Sequence, residues 1–200
     1  MIDDQLDNAT PDPRSLKRTR GGRERLLSVA AELFGRNGLA GTSLQMIADR
    51  LGVSKPAIYH HFRSRDDIVE ALMSPVIADA AAGLERIEHL DDPSERADAA
   101  RSFYADFVVT HRRVINMFFF DRAALTGDLA VTVDAMVDRV AAALMGRDAR
   151  VELPLGMTLV YGTAALVVRS TDVDDPGLHA NITHVLRVTT DAAARTNAPS

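Results

Sequence analysis

The sequence predicts an all-α protein: an N-terminal three-helix unit containing a helix-turn-helix, then a longer helical body, about nine helices in total. Three observations lead to that prediction. Apolar residues recur at helical spacing along nearly the whole chain. No alternating run bounded by a hairpin dipeptide reads as a strand. The charge also divides sharply: between residues 14 and 67 eleven Lys and Arg stand against five Asp and Glu, whereas residues 68–200 carry twelve basic and nineteen acidic side chains. A basic segment ahead of an acidic one implies two tasks, with a polyanion as the partner of the first.

Composition narrows the class further. The chain has 200 residues, 46% of them hydrophobic, enough to bury a core without covalent staples. It contains no cysteine, which excludes disulfides, thiolate metal sites and cysteine nucleophiles. The opening MIDDQLDNATPDP is acidic and polar, the reverse of a secretory signal. The longest uncharged stretch, residues 153–168, contains Pro154, Gly156 and Gly162 and falls short of the roughly 20 residues a membrane span needs. A soluble, cytoplasmic protein with no membrane partner is expected.

Residues 1–20 read as a flexible arm, broken by Pro11 and Pro13 and turning basic at Arg14, Lys17, Arg18 and Arg20. A first helix follows Gly21-Gly22, with Leu26, Ala30, Leu33 and Phe34 forming one stripe and Asn37-Gly38 a left-handed cap. Ser43 caps a second helix, with Leu44, Ile47, Ala48 and Leu51 facing inward, and Gly52 breaks it. Ser54 is expected to cap a third, running to about Phe62. Ser64 with Asp67 resembles a capping box that opens a fourth helix, which Pro75 should kink or end. Asp92-Pro93 opens the next helix, followed by a segment from Arg112 to Asp121 and a stripe from Leu129 to Leu144. Pro154 and Asp175-Pro176 are expected to open the last two helices. The predicted division is arm 1–20, head 21–67 with its motif at 43–62, and body 68–200.

The segment TSLQMIADRLGVSKPAIYHHF, residues 42–62, carries the functional signal. Ala48 provides a small contact, Gly52 a permissive turn, and Ile58 an apolar plug, with Ile47, Leu51 and Val53 completing the angle between two short helices. The second of these exposes Ser54, Lys55, Ala57, Tyr59 and His60, short or hydrogen-bonding groups suited to a DNA major groove.

With its flanks, from RERLL through VSKPAIYHHF to DDIVEALM, this segment resembles the DNA-binding domain of TetR-family transcriptional regulators over about 50 residues. It departs from the family at Pro56, where glycine is frequent, and at Gln45, where basic or polar residues are frequent. Ser43, with Thr42 beside it, suits a backbone phosphate. Gln45 can pair with adenine, Lys55 can read guanine, and Pro56 and Ala57 can meet thymine methyl groups. The resemblance implies phosphate contacts for Tyr59 and His60. Arg65 is expected to clamp the backbone, and Arg18 and Arg20 to follow the minor groove. His61 is expected to be buried against the first helix.

For the body the resemblance implies a small-molecule pocket, with Phe103, Phe107, Met117, Phe118, Met136 and Tyr161 as candidate lining; plain core is the alternative. A homodimer through residues 153–169 and 176–195 is expected, which would set two recognition helices about 34–36 Å apart. The predicted function is a regulator, a repressor by the family's commoner habit, released from a palindromic operator by a small effector. A nonspecific architectural DNA binder, or a helical enzyme or carrier with an incidental helix-turn-helix, stays as an alternative. No enzyme constellation stands out, and the six histidines show no metal spacing. No metal or cofactor is expected.

Overall fold

A computed structural model of the chain describes residues 20–119, 125–145, 149–169 and 175–196. Among the described residues every regular element is helical: α1 (Arg20–Asn37), α2 (Leu44–Leu51), α3 (Lys55–Tyr59), α4 (Arg65–Glu88), α5 (Pro93–Thr110), α6 (Arg112–Phe119), α7 (Gly127–Met145), α8 (Ala149–Arg169) and α9 (Asp175–Thr196).

The head forms as its apolar spacing requires. Leu26, Ala30 and Phe34 of α1, Ile47 and Ala48 of α2 and Ile58 of α3 are all removed from solvent. Each large side chain among them contributes about 1.5–3 kcal/mol by leaving water. The turns use glycine where φ is positive. Gly38 (φ 74°) donates its N–H to the Phe34 carbonyl at 2.9 Å. Gly52 (φ 69°) lets the chain reverse between α2 and α3, a conformation an L side chain resists.

The caps follow the sequence, with one exception. The Ser43 hydroxyl accepts from the Met46 N–H at 3.2 Å, and Asp92 accepts from the N–H groups of Ser94 and Glu95. Ser64 and Asp67 form a full capping box at the start of α4. Ser54, expected to cap α3, does so by its backbone carbonyl alone: its side chain makes no capping bond. The helix ends at Tyr59, short of the predicted Phe62.

Two proline expectations need correction. Pro75, expected to kink or end α4, does not end it: α4 runs through to Glu88. Proline removes one N–H, so the Ala71 carbonyl loses its intrahelical donor, but Leu72, Met73, Val76 and Ala80 on either side are buried and hold the helix. Pro154 likewise lies in the second turn of α8, which begins five residues earlier, at Ala149.

Two apolar cores result. The head core joins α1, α2, α3 and the first turns of α4, and Met117 of α6 and Leu125 enter it from the body. The second core joins the later turns of α4 with α5, α7, α8 and α9. The helix α4 therefore belongs to both, and α6 packs on α1 while also packing on α8. Ion pairs tie the periphery: Arg139 to Glu88 between α7 and α4, His179 to Asp106 between α9 and α5, and Arg112 to Asp175 between α6 and α9. No helix of the described residues is long and apolar enough to cross a membrane.

Candidate nucleic-acid interface and interior cavity

The α2–turn–α3 unit separates two sets of side chains. Ile58 is fully buried and fixes α3 against α1 and α2. Ser54, Lys55, Pro56, Tyr59 and His60 are exposed, and Ala57 is half-buried. The Lys55 ammonium lies 5.9 Å from the centre of the Tyr59 ring, within reach of a weak cation–π attraction. On α2, Ser43 and Gln45 are exposed, and the Gln45 amide donates to the Asp49 carboxylate at 2.7 Å. These residues form one outward polar surface whose backbone is set by the core beneath.

Two predicted contacts lie elsewhere. Thr42 is 2% exposed, and its hydroxyl is within hydrogen-bond distance of the Gly38 carbonyl (2.9 Å) and the Leu33 carbonyl (3.2 Å). Its one proton serves the loop after α1, so Thr42 is a structural residue rather than a surface contact. Arg65 is half-buried and donates to the Leu39 carbonyl at 2.8 Å, with Asp66 at 3.4 Å. Its guanidinium ties α4 to that same loop instead of standing free as a clamp. Arg20 begins α1 and Arg18 lies outside the described residues.

Two features, the exposure of Met46 and the stacking of Arg23, were not read from the sequence. Met46 on α2 is exposed next to Gln45. The Arg23 guanidinium stacks 4.9 Å from the Phe62 ring centre, bracing α1 against the end of the recognition unit. His61 is half-buried, and its Nε2 is shielded without a hydrogen-bond partner among the described residues. The Asp67 carboxylate accepts from the Ser64 hydroxyl at 2.7 Å and the Arg63 N–H at 2.8 Å. These bonds, Ser64's first, hold its pKa below the ordinary 3.8.

The body holds a cavity of about 150 Å³ that is partly open to solvent. Its walls come from five helices: Met73, Val76, Ile77 and Ala80 of α4; Tyr104, Phe107 and Val108 of α5; Val114 and Ile115 of α6; Val133, Met136, Val137 and Val140 of α7; and Val160, Tyr161 and Ala164 of α8. Of the predicted lining, Phe107, Met136 and Tyr161 are there. Met117 is not: it is 1% exposed and packed in the head core, because α6 turns that face toward α1. Phe103 instead packs over Gly83 of α4, its ring centre 5.6 Å from that of Phe107. The Phe118 side chain lies outside what the structure describes.

Tyr104, absent from the sequence-based set, is the buried polar group of this wall. Its hydroxyl donates to the Val160 carbonyl at 2.7 Å, and the Thr163 hydroxyl stands 3.1 Å away. Burial pushes its phenol pKa well above the ordinary 10. A mid-helix Tyr gives no sequence signal that separates it from core, so only the packing of α5 on α8 reveals it. The α4 stretch Met73–Ala80 was not read from the sequence as a wall.

Geometrically, the cavity and the head core share two helices. The first, α4, begins at the Ser64 box beside α3, buries Ile68 and Val69 in the head, and then presents Met73–Ala80 to the cavity. In α6, Val114 and Ile115 face the cavity and Met117 the head core. The His111 side chain, at the corner between α5 and α6, pairs with Asp79 of α4 at 2.8 Å.

Comparison with known proteins agrees with this arrangement. Residues 26–72 match the family described as bacterial regulatory proteins, tetR family. The chain is 26% identical over 178 residues to the HTH-type transcriptional activator FasR of Mycolicibacterium smegmatis, covering 80% of this chain and 81% of that protein. It is 30% identical over 121 residues to the HTH-type transcriptional repressor KstR2 of the same species, covering 60% of this chain and 57% of that protein. In fold it is similar to AibR, solved in complex with isovaleryl coenzyme A and operator DNA: TM-score 0.59, 21% identity, covering 82% of this chain and 96% of that one. The family match thus lies on the segment that builds the outward α3 surface: residues 26–72 form a helix-turn-helix unit of the tetR kind, and the all-α fold as a whole is similar to that of tetR-family regulators.

Proposed function

We propose that the protein is a cytoplasmic, operator-specific repressor that binds as a homodimer and releases DNA when a small molecule enters the body cavity. The supporting observation is that α4 connects the head core to the cavity wall without interruption. In this reading residues 21–67 read DNA, 68–200 bind the effector and dimerise, and the 1–20 arm follows the minor groove through Arg18 and Arg20. Lys55 reads guanine, Gln45 reads adenine, and Pro56 and Ala57 meet thymine methyl groups. Ser43, Ser54, Tyr59 and His60 position the head on phosphates.

The exposed apolar side chains Leu166 of α8 and Val185 and Val188 of α9 provide the face for a second copy, which pairs the two heads on successive major grooves. A ligand that favours a displaced α4 changes the spacing of the heads. A differential affinity of about 3 kcal/mol between the two arrangements lowers operator affinity more than a hundredfold. Repression follows the similarity to KstR2, and the similarity to FasR defines the opposite outcome.

The test is a mobility shift on the DNA upstream of the protein's own reading frame at fixed salt, with competitor DNA. A specific complex, weakened by about 1–3 kcal/mol in Lys55→Ala, supports the reading. Equal affinity for any sequence would make the protein an architectural binder instead. A reporter under the same promoter separates repression from activation.

A further inference from the structure

We infer that the cavity among α4, α5, α6, α7 and α8 selects an uncharged, hydrocarbon-like molecule of about benzene to toluene size, and rejects anions and cations of the same shape. The inference rests on the effector reading above for its biological meaning, and on the cavity's own chemistry for its content. Among the described residues the walls contain no Asp, Glu, Lys, Arg or His. An ion placed there would shed its water with no counter-charge to meet it, which is far costlier than burying a neutral molecule.

Beside the Tyr161 phenol of the wall, the polar side chains nearby are those of Tyr104 and Thr163, and both are already engaged. The Tyr104 proton is already given to the Val160 carbonyl at 2.7 Å. Thr163 has one proton, with the Leu159 carbonyl at 2.5 Å and the Tyr104 oxygen at 3.1 Å. These donors are spent inside the protein, so a carboxylate would find neither of them free. Burial keeps the phenol protonated, so it supplies no negative charge for an ammonium group.

Size sets the other limit. A volume of about 150 Å³ matches the engineered apolar cavities that stay dry and hold benzene. Met73 and Met136 in the wall are flexible enough to admit a methyl or two more.

The experiment compares toluene, benzoate and benzylammonium, three molecules with one ring and different charge, on the full-length protein at pH 7. Binding is read by ligand-observed NMR titration and by thermal shift, and operator affinity by mobility shift in the same samples. Toluene is expected to bind saturably and raise the melting temperature, with benzoate and benzylammonium at least about a hundredfold weaker. Filling the space with Ala164→Leu, or with Ala80→Leu should the first not fold, is expected to abolish toluene binding. Ions binding as tightly as toluene, or toluene failing to bind saturably, would overturn the inference. Should toluene bind in the cavity and leave operator affinity unchanged, the ligand class stands and the effector reading falls.

Discussion

Replacing Gly83 by alanine tests whether the approach of α4 to α5 is set by the absence of a side chain. Gly83 is buried in mid-α4, where alanine is intrinsically better by about 1 kcal/mol. A Cβ built there would lie 2.6 Å from Cδ2 of Phe103 and nearer still to its Cε2 and Cζ. The ring cannot stay. It is half-buried and tilted against Phe107, whose own ring stacks on His111, so it must leave its site or push α5 outward. Expelling a phenylalanine forfeits about 1.5–3 kcal/mol of burial. Set against the propensity gain, Gly83→Ala is expected to destabilise by about 0.5–2 kcal/mol, or about 1–8 °C in melting temperature for a chain of this size.

The assay is a double-mutant cycle by urea unfolding at one protein concentration, with Phe103→Ala as the second change. Without the ring, the same glycine substitution should become neutral or stabilising. An equal cost in both backgrounds, or a stabilised single variant, would refute the claim that the ring occupies the space over Gly83.

Other expectations follow from the head. Ile58→Ala empties a fully buried site and should cost about 2–5 kcal/mol, measured by chemical denaturation. Ser43→Ala removes the acceptor for the Met46 N–H and should cost about 0.5–2 kcal/mol, seen as a lower urea midpoint with an unchanged slope. Because the folded pKa of Asp67 is depressed below 3.8, its contribution is complete at neutral pH and fades as pH falls from 3.8 through the folded value. Asp67→Asn should therefore flatten that limb of the stability–pH curve in acid titrations followed by circular dichroism.

The local elements were legible because their signals are local. Gly52 between two apolar stripes, the Ser64–Asp67 pair and Asp92-Pro93 each satisfy a backbone group within a few residues, so no distant contact could overrule them. The outward surface at Lys55, Tyr59 and His60 was legible for the same reason: once Ile58 is buried, helical geometry decides what faces away. The expectation that Pro75 could end α4 failed because a proline rule counts one lost hydrogen bond. It does not count the burial of Met73 and Val76 on either side, which depends on α5 and α7 lying against them.

What the chain alone determined, then, was which stretches are helices, where most of them start, and which face of α3 meets solvent. Tertiary structure decided the rest. Thr42 and Arg65 resemble surface contacts until the loop after α1 brings the carbonyls of Gly38 and Leu39 within their reach. Met117 and Phe103 resemble pocket lining until α6 faces α1 and α5 settles on Gly83. Tyr104 becomes a buried, hydrogen-bonded member of the cavity wall only when α8 brings the Val160 carbonyl to it, 56 residues along the chain. Helical period reports that a face is apolar, but not which neighbour covers it, because that choice belongs to side chains far apart in sequence.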